Sequence, residues 1–203
     1  MLSRAHRRGF SIIELMVAVA IVGVMLALGI PSMATYLQNS KIGSAAKSYQ
    51  AGIQLARSEA IRQNLPIEFV LTNAPIVAGI EGTTALNQNG VNWVVRAPVL
   101  PASGATVYTL VEAKAALEGS GQAAGATPAV EVAGSGGFTG AIVFTGLGGT
   151  SDGAATAFDL SNPTGGACAP AGPMRCLRVR VSAGGQVQIC DPQAAAGDSR
   201  ACP

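Results

Sequence analysis

Histidine is almost missing from this chain. The single one, His6, stands ahead of a long apolar run, so a histidine-based triad, a His-ligated metal or an imidazole acid–base pair has no other residue to use. Acidic residues number only 11, with no D-x-D or E-x-x-E cluster. The glycine-rich stretch GLGGTSDG at 146–153 lacks the Gly-Lys-Ser/Thr ending of a phosphate loop and reads as a turn. Asp152 and Asp159 are two carboxylates where calcium takes six or more oxygens. No catalytic residue, metal or cofactor is therefore expected, and the chain is not read as an enzyme. Charged residues are 12% of the whole. The net charge of +2 includes Arg4, Arg7 and Arg8, and without the first nine residues 13 − 3 = 10 bases face 11 acids. A broadly basic nucleic-acid binder is thereby excluded. Aromatics are 4% and glycines number 26, the composition of a small-residue β domain with many turns.

Paired C-x₂₋₄-C knuckles are also absent. The four cysteines, Cys168, Cys176, Cys190 and Cys202, are separated by seven, thirteen and eleven residues, which suits two disulfides better than a tetrathiolate zinc site. Disulfides require an oxidising compartment, so this end is expected in the periplasm or outside the cell.

What is present begins at the N-terminus. MLSRAHRRG, basic and short, precedes FSIIELMVAVAIVGVMLALGI and Pro31. As a helix, Phe10 to Ile30 spans roughly 31 Å, about one hydrocarbon thickness. The arginines ahead of it predict a cytoplasmic N-terminus and a translocated remainder. Glu14 breaks the apolar run, and a carboxylate there costs roughly 2.5–3.5 kcal/mol on insertion scales, which calls for a partner or a function. No small-x-small cleavage site follows the run; Pro31 and an amphipathic helical pattern do.

Arg-Arg-Gly before Phe10, with Glu14 as the fifth residue after Gly9, resembles the class III signal of type IV prepilins and pseudopilins. The resemblance implies cleavage between Gly9 and Phe10 by prepilin peptidase and N-methylation of Phe10. It also implies that Glu14 pairs with a neighbouring subunit's N-terminal ammonium once the filament forms, which would neutralise the costly charge.

Beyond Pro31 the helical pattern continues to about Gln63. Ile42, Ala45, Tyr49, Ile53, Ala56 and Ala60 recur at steps of three or four, with Lys47, Gln54, Ser58 and Arg62 on the other side. A kink is expected at Gly29 and Pro31. After Pro66 the period becomes strand-like, with candidates at 67–72, 91–97, 106–113, 138–145, 154–160, 175–181 and 186–190; 119–127 and 146–153 read as loops. The expected division is a leader (1–9), a transmembrane and amphipathic spine helix (10–63) and a β head domain with disulfides (64–203). The fold class is α+β: one long N-terminal helix packed on an antiparallel sheet, the pilin architecture.

In the last hairpin, Leu177, Val179 and Val181 alternate with polar residues, as do Val187 and Ile189. Centring the turn on Ala183 pairs 177 with 189 and 179 with 187, with Gly184 available for a positive φ. This register sets Cys176 opposite Cys190 and favours Cys176–Cys190 with Cys168–Cys202. The rival pairing, Cys168–Cys176 with Cys190–Cys202, stays open.

The segment CLRVRVSAGGQVQICDPQAAAGDSRACP resembles the C-terminal end of FimT/FimU-like minor pilins, a group related to the H pseudopilin of type II secretion. That resemblance implies a low-abundance subunit near a filament tip that helps to prime assembly. Its partners would be other minor and major pilins, the inner-membrane assembly platform, and the membrane before assembly. It would start as a single-pass inner-membrane protein with a periplasmic head and finish at the cell surface. A type II secretion pseudopilin is the alternative. Some relatives also bind DNA through a hairpin tip reading Gly-Arg-x-Arg; here Gly185, Gln186, Val187 and Gln188 stand at those positions, without the charges that meet phosphate. Arg178, Arg180 and Arg200 are the remaining candidates for a DNA contact, and a solvated strand face is the favoured reading of them.

Overall fold

A computed structural model describes residues 10–99, 106–115, 130–135 and 137–203, the side chains of 27–32 apart. The expected loop at 119–127 lies outside the described residues, as do the leader and the side chains at the expected kink. Contacts divide the chain into two compact units, one up to Leu37 and one from Gln38 to Pro203.

One helix, α1, runs Ile12–Gln63. In the second unit its buried hydrophobic residues are Ile42, Ala46, Tyr49, Ile53, Ala56 and Ala60, at steps of four and three that keep one stripe inward. Ala46 takes the place foreseen for Ala45, which is only partly buried against the core. Lys47, Gln54, Ser58 and Arg62 are exposed, as the periodicity requires.

The strands form two four-stranded antiparallel sheets where one sheet was expected. The first orders β3-β2-β1-β5, from Val107–Lys114, Asn92–Val99, Ile67–Thr72 and Ala141–Phe144. The second orders β4-β6-β7-β8, from Glu131–Ser135, Thr156–Ser161, Leu177–Val181 and Val187–Cys190. β4 was not foreseen: Val130 and Val132 are buried on either side of exposed Glu131, but glycines crowd the end of the strand. A four-residue helix, α2 (Ile80–Thr83), follows Gly79 at φ 83° and is too short to leave a periodic signal.

The helix stripe meets both sheets. At Gly52 a Cβ would stand 3.0 Å from Phe69 and 3.1 Å from Trp93, so the missing side chain lets α1 lie close on β1 and β2. Trp93 donates to Ser48 Oγ at 3.2 Å. Three residues before Gly52 in the chain is 49: Tyr49 packs edge-on against Phe158 of β6, ring centroids 5.4 Å apart, and donates its hydroxyl to the Val91 carbonyl at 2.6 Å. Burial pushes that phenol well above its ordinary range.

The last hairpin differs from expectation in register. Arg178 faces Cys190, Val179 faces Ile189 and Val181 faces Val187. The turn centres on Gly184, and Gly185, not Gly184, takes the positive φ, 75°. Each pairing moves by two residues, which leaves every side chain on the face that the alternation assigned to it. A Cβ on Gly185 would collide with the Gly148 carbonyl, so this glycine is also required by the neighbouring turn at 145–150.

The new register removes Cys176 from Cys190, and the favoured disulfide pairing is corrected. The bonds are Cys168–Cys176 and Cys190–Cys202, with Cα–Cα distances of 5.5 and 4.9 Å. Local chain paths bring each pair together. Ala169 N–H donates to Met174 O at 2.8 Å across the first loop, and Asp191 N–H donates to Arg200 O at 2.7 Å across the second.

Candidate functional site

From Phe10 to Leu26 every residue is exposed, and apart from Ser11 and Glu14 all are apolar or glycine. Phe10 is 84% exposed, Ile13 70% and Met25 69%. Apolar side chains occupy all sides of this half of α1, so no face of it suits water; such a helix needs lipid or other protein around it. Among the described residues, no helix is long and apolar enough to cross a membrane.

Glu14 lies in the first turn of α1. Backbone N–H groups there have no intrahelical partners, and the helix dipole favours a negative charge at that end. No side chain among the described residues meets its carboxylate. Among the described residues, a lone exposed carboxylate is thus the one charged group between Phe10 and Leu26. Gly9 lies outside the described residues, and Phe10 is the first residue within them.

The arginines of the C-terminal half are placed and engaged. Arg178 on β7 faces Asp159 on β6 in register and binds both carboxylate oxygens, at 2.7 and 2.9 Å. Hydrogen bonding to Asp159 raises the affinity of Arg178 for its proton. Arg180 donates to Pro203 O at 2.9 Å. Arg200 binds Asp198 through two oxygens at 3.0 and 2.6 Å, and holds that carboxyl well below the usual range. Arg175 pairs with Asp191 at 3.1 Å. Three carboxylates therefore sit among four arginines, and a phosphate would have to displace them. Gln186 and Gln188 are exposed on the hairpin.

The two candidate calcium ligands each have a hydrogen-bond partner. Asp159 is held by Arg178, and Asp152 Oδ1 accepts from Ala154 N–H at 3.0 Å. Among the described residues no group of three or more His, Cys, Asp or Glu could hold a metal ion.

Two structural arginines escaped the reading of the sequence. Arg96 on β2 is 6% exposed, pairs with Glu68 of β1 at 2.8 Å, donates to Glu81 O at 2.9 Å, and stacks 3.7 Å from the centre of the Tyr108 ring. Lone charges inside two apolar strands, Ile67-Glu68-Phe69 and Val95-Arg96-Ala97, were the available signal. Arg57 on α1 donates to Gly148 O at 2.9 Å and Gly184 O at 3.2 Å, tying two turns to the helix; nothing in the local sequence announces it.

Residues 45–185 match the family model of the type II transport protein GspH, and residues 4–30 match the prokaryotic N-terminal methylation motif. Two crystal structures of the type IV minor pilin FimU of Pseudomonas aeruginosa, in space groups P65 and P21, are similar at 16% identity and a TM-score of 0.49. They cover 76% and 80% of this chain, and 97% of theirs is covered in each case. With a GspH head following a methylation motif, the chain belongs to the family of the type II transport protein GspH, whose pilin-like members are structural subunits that assemble with other pilins and with membrane machinery.

Proposed function

We propose that this protein is a minor pilin of a type IV pilus, incorporated at or near the filament tip and helping to prime assembly. The observation that carries the proposal is α1 up to Leu26: apolar residues exposed on every side, with one carboxylate in the first turn. Lipid can receive the apolar surface before assembly, and helices of neighbouring subunits can receive it afterwards. Glu14 then finds a neighbour's N-terminal ammonium, formed when prepilin peptidase cuts between Gly9 and Phe10 and Phe10 is methylated. The tip position and priming role rest on the C-terminal resemblance to FimT/FimU-like subunits. In this reading the subunit waits in the inner membrane, N-terminus cytoplasmic and head periplasmic, until the assembly platform adds it to other minor and major pilins.

A second reading, a minor pseudopilin of type II secretion, is favoured by the match of the head itself to the GspH model. A DNA receptor is not favoured, because the candidate arginines are held by Asp159, Asp198 and Pro203.

Processing is tested first. Gly9→Val is expected to leave a precursor that keeps its nine-residue leader, visible as the larger species on an immunoblot of the membrane fraction. A mature-sized product from this variant would overturn the assignment of the cleavage site.

A further inference from the structure

Burial of α1 in the second unit begins at Ile42, which is 0% exposed. Ser40 and Lys41 are exposed, and Gln38 and Asn39 are half-buried. Hydrophobic packing therefore holds the helix only from Ile42 onwards. One turn earlier, hydrogen bonds reach Gln38 from Asn162, just after β6, and Asn39 from Arg175 in the loop of the first disulfide.

Asn162, fully buried, donates Nδ2–H to Gln38 Oε1 at 2.8 Å and accepts from Gly165 N–H at 3.2 Å. Asn39 Oδ1 accepts from Arg175 N–H at 2.7 Å. Arg175 directly precedes Cys176, and the Cys168–Cys176 bond closes the loop that carries it. The loop is braced from inside by Met174 N–H to Ala167 O at 3.1 Å and Gly172 N–H to Cys168 O at 3.1 Å. Met174 itself is 1% exposed and belongs to the core. A Cβ at Gly165 would stand 3.1 Å from Gln38 Cβ, so this backbone lies directly on the helix.

We infer that the Cys168–Cys176 loop is a clasp that extends the head's hold on α1 by one turn ahead of Ile42, gripping Asn39 beside the Gln38 that Asn162 holds. A closed loop presents the Arg175 N–H in place, so the bond to Asn39 forms without the entropic cost of ordering a free segment. An open loop loses that advantage at Asn39, and the turn is then held to the head through the Asn162–Gln38 bond alone, which lowers the free energy of opening it locally. The second disulfide, Cys190–Cys202, ties strand β8 to Cys202; Arg175 meets the neighbouring Asp191 through its exposed side chain, whereas the hold on Asn39 is made by its backbone N–H. The inference does not depend on the filament reading, since it concerns the head's own grip on its helix.

The test is amide hydrogen exchange of the full-length protein in detergent micelles. The amides of 42–45 bond to the carbonyls of 38–41 in an α-helix, so they report the turn directly. In Cys168→Ser/Cys176→Ser they are expected to exchange about tenfold faster or more, with 53–60 unchanged, while Cys190→Ser/Cys202→Ser leaves 42–45 as in the wild type. Unchanged exchange at 42–45 would overturn the clasp, and so would an equal rise at 53–60, which would mean general loosening. Asn39→Ala keeps the disulfide and the fold; it too should speed 42–45 without touching 53–60, and failure to do so would also overturn the clasp.

Discussion

Glu14→Ala is expected to yield a mature-length protein that remains in the membrane fraction and is lost from sheared filaments by roughly a hundredfold. Two effects act in the same direction. In lipid the carboxylate costs roughly 2.5–3.5 kcal/mol, so its removal makes the waiting state more comfortable. In the proposed filament the same removal would leave a neighbour's ammonium without its partner, and breaking such a pair is costly in a low-dielectric site. Even the first effect alone corresponds to about two decades in the partition between membrane and filament, at 1.4 kcal/mol per decade. Glu14→Gln separates charge from shape: it keeps the side chain's volume and should fail as the alanine variant does. Wild-type levels of either variant in the filament fraction would remove Glu14 from the docking step.

Glu68→Ala should cost the head a large part of its stability although the residue lies on a strand surface and not in the apolar core. Arg96 is 6% exposed, and its carboxylate partner at 2.8 Å is Glu68. Removing one member of a buried pair costs about 3–5 kcal/mol, because the remaining charge stays buried and uncompensated. The Glu81 carbonyl and the Tyr108 ring stay in contact with the guanidinium, which argues for the lower end, about 3 kcal/mol. For a chain of this size that corresponds to a fall in Tm of roughly 6–12 °C, measured by thermal unfolding of the full-length protein in detergent. Replacing both residues, Glu68→Leu with Arg96→Leu, should recover most of the loss, since apolar groups of similar volume need no partner. A single variant that melts within about 2 °C of wild type would show that Arg96 is held by its other contacts.

What could be read from the residues depended on whether a signal had one solution. The inward stripe of α1 was legible because an apolar spacing of three and four admits one face, and a shift from Ala45 to Ala46 is the only difference. The N-terminal methylation motif was legible because a short basic segment ahead of a long apolar run that holds a single carboxylate is a rare combination. The register of the β7–β8 hairpin was not, since a two-residue slip preserves both faces and Gly184 and Gly185 offer equivalent turns. That slip moved Cys176 away from Cys190, so the disulfide pairing followed the register into error. Two sheets rather than one could not be foreseen either. Partner choice among strands is decided by contacts far apart in the chain, such as Tyr49 with Phe158 and Gly52 with Phe69 and Trp93. The candidate basic face looked free because Asp159 is nineteen residues from Arg178 in the chain, and only the β6–β7 pairing brings them together.

The most direct test of the central claim is the amount of sheared surface pili from a strain lacking this protein, with secreted enzyme activity assayed from the same culture. Pili are expected to be lost while secretion is normal, and to be restored by the wild-type protein but not by Glu14→Ala. Normal pili would contradict the claim; if secretion were lost at the same time, the protein would belong to the secretion pseudopilus instead.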